Sequence, residues 1–177
     1  AHEVPAVLAR YPGTRTAKVK VAEKGQTLDD DVARVEAVRA LVPTVRVDAN
    51  GGWTVDAAET ALRALTENGD LEYAEQPCAT VEELAEVRTR VRGVSVAADE
   101  SIRRAEDPLR VVRAGAADVA VVKVPPLGGV RAVLRLAEEL AQYGVPVVVS
   151  SALDSAVGMS AGLAAAAALP SSAACGL

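Results

Sequence analysis

The stretch Thr16-Ala17-Lys18-Val19-Lys20-Val21 sets two lysines two residues apart in a run that is otherwise small or β-branched. In a strand, side chains two apart share a face, so Lys18 and Lys20 point one way and Ala17, Val19 and Val21 the other. A solvated edge strand is one explanation. The apolar set, however, has the look of a face packed under helices, which turns the lysines toward the interior of a sheet. Further along, Val119 to Val122 is an unbroken apolar run that ends in Lys123, which is also hard to place on a solvated face.

Outward from these two runs the chain is periodic. Strands are predicted at Thr16–Val21, Thr44–Asp48, Leu71–Glu75, Ser95–Asp99, Val119–Lys123 and Val145–Ser150. Helices are predicted at about Leu28–Val42, Val55–Asn68, Val81–Val91, Pro108–Ala114, Val130–Tyr143 and Ser155–Leu169. Thr80 with Glu83 has the spacing of a capping box, Pro108 suits a first helical turn, and Gly69, Gly115 and Gly144 stand where helices end.

Each apolar strand ends in a charged or hydroxyl residue: Lys20, Asp48, Glu75, Asp99, Lys123 and Ser150, at separations of 28, 27, 24, 24 and 27 residues. One βα unit has about that length. In a (β/α)8, TIM-like barrel the C-terminal strand ends converge on one mouth, so six scattered residues become one site. A doubly wound open sheet shares the alternation, but its ligands gather at one switch point, and Pro125–Gly129 matches neither a dinucleotide nor a P-loop fingerprint.

Asp48, Glu75 and Asp99 would bring three carboxylates together. Two like charges about 4 Å apart repel by roughly 4 kcal/mol at an effective dielectric near 20. Capping of helices or pairing with arginines would relieve any one of them. All three at equivalent strand ends favour a shared divalent cation, and an all-oxygen ligand set selects magnesium, with manganese as a substitute, over zinc. A buried lysine beside a second ammonium and a metal is expected to lose proton affinity and become a usable base. Together these groups suit abstraction of a proton next to a carboxylate.

Composition removes other readings. The net charge of -5 and the scarcity of aromatic residues argue against a nucleic-acid partner. The single histidine, His2, excludes histidine-based zinc sites and Ser-His-Asp triads. Cys78 and Cys175 form no ligand cluster and read as ordinary thiols of a reducing compartment. Ala156–Leu169 is too short and too rich in small polar residues for a membrane span, and no leader is visible, so a cytoplasmic, one-domain chain (1–177) is expected.

Lys18-Val19-Lys20, Val47-Asp48-Ala49-Asn50, Glu75-Gln76-Pro77, Ala98-Asp99-Glu100-Ser101, and Lys123 followed by Leu127-Gly128-Gly129 resemble the muconate-lactonising subgroup of the enolase superfamily. Thr16–Val21, Leu71–Thr80 and Ala97–Pro108 are most similar to its dehydratase branch. The resemblance implies Asp48, Glu75 and Asp99 as magnesium ligands, Lys20 as base and then acid, Lys123 opposite it, and Lys18 tuning Lys20. It further implies Arg46, Asn50, Ser150 and Ser151 as groups reaching a small carboxylate substrate. Where the family often has glutamate after the sixth strand, this chain has Asp154. The resemblance also implies an N-terminal capping domain and a first barrel strand ahead of Lys18, with Ala173–Leu177 as the start of a last strand, so the barrel is expected to be incomplete here. A racemase or epimerase of the same superfamily uses the same lysines and metal, and a barrel relic that binds without turnover is the reading from another class.

Overall fold

The computed structural model describes residues 1–103, 106–170 and 173–177. A short helix α1 (Val4–Leu8) leads into six βα units. These run β1 (Thr16–Lys20), α2 (Leu28–Arg39), β2 (Thr44–Asp48), α3 (Val55–Thr66), β3 (Ala74–Glu75), α4 (Val81–Arg90), β4 (Val96–Ala98), α5 (Glu100–Arg103), α6 (Arg110–Arg113), β5 (Val119–Val122), α7 (Val130–Ala141), β6 (Val147–Val149) and α8 (Ala156–Ala168). The strands are all parallel, lie side by side in chain order and curl into a half-barrel.

Alternation along the strands makes two cores. Val19, Val45, Val47, Ala74, Val96, Ala98, Ala120, Val122, Val147 and Val149 face the helices and join one cluster with residues such as Leu62, Leu84 and Leu140. Tyr73, Ala97, Val121 and Val148 form a second cluster on the other face, lining the inside of the curl. On α3, Ala58, Ala61, Leu62 and Leu65 are buried at helical spacing, and each fully buried leucine contributes about 1.5–3 kcal/mol.

Helix starts follow the sequence. Thr80 and Glu83 form the expected capping box, and Thr27 with Asp30 forms another. Gly115 and Gly144 sit at φ 63° and 71° just past α6 and α7, while Gly69 is at 154°, positive but outside the helical left-handed region. One expectation needs correction: Pro108 lies in the turn before α6, which begins at Arg110.

Register shows that the strand ends are not level. Lys20 pairs with Asp48 and Asp48 with Glu75, but Glu75 pairs with Ala97, so Asp99 stands two residues further along its strand. The pairing of Ala98 with Ala120 repeats that step between β4 and β5 and carries Lys123 further still. Two residues of strand are about 7 Å, and such staggering is what closing a sheet into a barrel requires. Beyond β6, Ser150 makes a single parallel bridge with Gly176, consistent with another strand beginning there.

Candidate active site

Asp48, Glu75 and Asp99 are each about 1% exposed, and each is met by an ammonium group. Lys18 Nζ donates to Asp48 Oδ2 at 2.8 Å and to both oxygens of Glu75 at 2.9 and 3.0 Å. Lys20 Nζ donates to the same Asp48 oxygen at 2.5 Å and to Asn50 Oδ1 at 2.6 Å. Lys123, which is itself buried, donates to Asp99 Oδ2. The half-barrel therefore brings together the three acids and the three lysines singled out in the sequence. Lys20 stands at one end of the row and Lys123 at the other.

Electrostatics follow from this crowding. Burial alone would pull Lys18 down, but Glu75 and Asp48 outweigh it and hold the ammonium above its ordinary pKa. The sequence leads to the expectation of a depressed lysine; at Lys18 the adjoining Glu75 and Asp48 carboxylates act the other way. Asp48 is held below the usual carboxylate range, since Lys18 and Lys20 overcome its burial. Glu75 is pushed up to about 7 by burial, with Asp48 and Asp99 adding repulsion that Lys18 only partly offsets.

The row has the donor chemistry for a hard divalent ion: three buried carboxylates, all oxygen. Among the described residues Asp99 Oδ1 has no hydrogen-bond partner, although Arg103 Nε lies 3.2 Å away in ion-pair contact. As the side chains stand, the ammonium groups separate the acids. Among the described residues no three His, Cys, Asp or Glu side chains are close enough together to hold a metal ion.

The remaining sequence candidates divide. Asn50 joins the row: its backbone N–H donates to Asp48 Oδ1 at 3.0 Å, and its left-handed φ of 47° turns the side chain to Lys20. Arg46 does not. It lies two residues before Asp48 and so one layer deeper, where it pairs with Glu72 at 2.6 Å, donates to the Ala174 carbonyl at 2.7 Å and stacks 4.6 Å from the centre of the Tyr73 ring. Ser150 Oγ faces the Gly176 carbonyl at 3.5 Å, and the Ser151 backbone donates to the same oxygen at 2.9 Å, so both attach to the last segment rather than to the acid–lysine row.

Three participants escaped sequence reasoning. Gln76, fully buried with φ 40°, donates to the Cys78 carbonyl and Ser101 Oγ and accepts from the backbone N–H groups of Asp99 and Ser101. It thereby staples the end of β3 to the end of β4. Glu100 accepts from Asn50 Nδ2 at 3.2 Å and from Arg103 at 2.7 Å. The one available signal was the spacing of Arg103, three residues beyond Glu100 and four beyond Asp99, which is ion-pair spacing on a helix.

The o-succinylbenzoate synthase of Mycobacterium ulcerans (strain Agy99) is 71% identical over 176 residues, 99% of this chain and 53% of that protein. That of Mycolicibacterium smegmatis (strain ATCC 700084 / mc(2)155) is 70% identical over 170 residues, 96% of this chain and 52% of that protein. The chain thus spans about half the length of the curated relatives it matches. A dipeptide epimerase from Enterococcus faecalis V583, solved with Mg and the dipeptide L-Leu-L-Tyr, superposes with a TM-score of 0.83 at 31% identity, over 94% of this chain and 47% of that one. The model of the family described as enolase C-terminal domain-like matches residues 3–175, and the chain belongs to that family.

Proposed function

We propose that this chain is the barrel portion of an o-succinylbenzoate synthase, a hydro-lyase acting in the cytoplasm on a succinyl-hydroxycyclohexadiene carboxylate in menaquinone biosynthesis. One observation carries the reading: a lysine stands at each end of a row of buried carboxylates, in a chain about 70% identical to proteins of that name.

Asp48, Glu75 and Asp99 would hold magnesium, or manganese in its place. When bound, the ion neutralises the substrate carboxylate and favours the enediolate that forms on proton loss. Lys20, neutral at that moment, takes the proton from the carbon α to the carboxylate, and the C–H bonding pair passes into the enediolate, from which it moves into the ring as the hydroxyl departs. Lys20 then returns that proton to the departing hydroxyl on the same face, the C–O bond breaks, and water leaves as the ring becomes aromatic. Proton and hydroxyl balance as one water, and Lys20 ends as it began. Lys123 supplies positive charge from the far end of the row, and Lys18, which shares an Asp48 oxygen with Lys20, would tune Lys20. Arg46, Ser150 and Ser151 would act on the substrate only through the segment they hold, whereas Asn50 orients Lys20.

Racemisation or epimerisation is the second reading, because the neighbour solved with a dipeptide is an epimerase and the same two lysines would serve. A non-catalytic relic is disfavoured by the intact row of acids and lysines. Supplying the full-length protein with the cyclohexadiene substrate and magnesium should yield the aromatic product. Folded protein that exchanges the α-proton of N-succinyl amino acids or dipeptides but makes no o-succinylbenzoate would replace this reading with the second.

A further inference from the structure

Glu100 is adjacent to a candidate ligand but does not belong to the row of acids and lysines. Its side chain is 13% exposed, and both of its hydrogen bonds converge on one oxygen, Oε1, from Asn50 Nδ2 at 3.2 Å and Arg103 at 2.7 Å. Among the described residues its other oxygen is buried without a partner. A carboxylate only accepts hydrogen bonds, so Glu100 takes the NH2 side of the Asn50 amide and leaves the amide oxygen as the sole side-chain group Asn50 can turn toward Lys20. That oxygen receives Lys20 Nζ at 2.6 Å. The backbone helps: Asn50 is pinned at φ 47° by its N–H bond to Asp48, so the amide has one free choice, which face it turns to the lysine.

We propose that Glu100 is a positioning residue for the reaction: by fixing the amide orientation of Asn50 it aims the Lys20 ammonium, and Arg103, bonded to Glu100 and in ion-pair contact with Asp99, holds Glu100 in place at the end of β4. The proposal rests on Lys20 being the base. A misplacement of about 1 Å at a reacting group costs on the order of 100-fold in rate, which sets the scale of what Glu100 protects.

The test is a double-mutant cycle in the full-length protein with Glu100→Ala, Asn50→Ala and the pair, accompanied by Glu100→Gln. Glu100→Ala should lower kcat by roughly 10- to 100-fold with KM within about threefold, and adding it to Asn50→Ala should cost nothing more, since both remove one coupled device. Glu100→Gln keeps an acceptor oxygen at the same reach and should restore kcat to within about threefold of wild type. Should Glu100→Ala not fold, Glu100→Asp, one methylene too short to reach Asn50, carries the same expectation. Additive losses, an effect confined to KM, or Glu100→Gln as damaged as Glu100→Ala would overturn the proposal. A second readout needs no substrate: the side-chain amide resonances of Asn50 in 15N-asparagine-labelled protein should move in Glu100→Ala and stay in place in Glu100→Gln. Unmoved resonances in Glu100→Ala overturn the proposal by themselves. Wild-type protein that fails to dehydrate the substrate counts against the proposed function, and the Asn50 resonances then decide the role of Glu100 alone.

Discussion

Lys18 Nζ sits between Asp48 and Glu75, 2.8 Å from one carboxylate and 2.9 Å from the other, and is the sole ammonium bonded to both. Its ammonium offsets the repulsion between the two acids. Lys18→Met should therefore leave buried Glu75 without its ammonium and Asp48 with Lys20 alone. Breaking a fully buried pair costs about 3–5 kcal/mol, and because Lys18 is 31% exposed the expected loss is smaller, about 1–3 kcal/mol. Chemical denaturation without metal measures it, and magnesium should recover most of the loss. Equal stability of the variant and wild type without metal would contradict this role.

Replacement of Glu75 by Gln removes one charge at constant size from the acid where repulsion concentrates. Magnesium affinity measured by calorimetry should fall at least about tenfold, since one carboxylate–cation contact is exchanged for a neutral one. An unchanged affinity takes Glu75 out of the ligand set.

Gly52 marks a close approach at the turn after β2. A Cβ there would lie 2.9 Å from the Ala49 carbonyl oxygen and 2.9 Å from Ala22 Cβ, and the backbone oxygen cannot move aside without disturbing the Asn50 turn. Gly52→Ala should destabilise the protein by about 1–3 kcal/mol. A melting temperature equal to wild type would show that the turn relaxes freely.

Cys78 is fully buried and its thiol is pushed up to about 11 by burial, with Glu83 and Glu86 adding to the effect. Burial thus favours the protonated thiol: that contribution is present below about pH 9 and lost as pH rises through about 11. At pH 8 an alkylating reagent should label exposed Cys175 quickly and Cys78 only on unfolding. Fast labelling of both cysteines in folded protein would be the contrary result.

The barrel was legible because its apolar strand runs end in polar residues about one βα unit apart, and Lys20, Asp48, Glu75, Asp99 and Lys123 line one row in the structure. Strand lengths were overstated: Leu71 to Tyr73 reads as strand, yet the ladder from β2 reaches only Ala74 and Glu75, because the stagger that closes the curl shortens the paired stretch. Depth was not legible at Arg46. Period two assigns it to the same face as Asp48 but cannot say that its guanidinium will turn down to Glu72 and Tyr73 instead of up to the mouth. Gln76 was quoted as part of a motif without a role, since a side chain that bridges two strand ends through three hydrogen bonds declares itself only once the strands are placed.

The most direct test of the central claim compares Lys20→Arg, Lys123→Arg and Lys20→Ala in the full-length protein, following dehydration and the entry of solvent deuterium at the α-carbon. Arginine keeps the charge but stays protonated and cannot serve as a base. A single lysine that works first as base and then as acid predicts that Lys20→Ala loses both proton transfers, each worth about 100- to 10,000-fold, and that Lys123→Arg keeps more activity than Lys20→Arg. Equal loss in the two arginine variants, with deuterium entering from both faces, would contradict it and establish two-base chemistry instead.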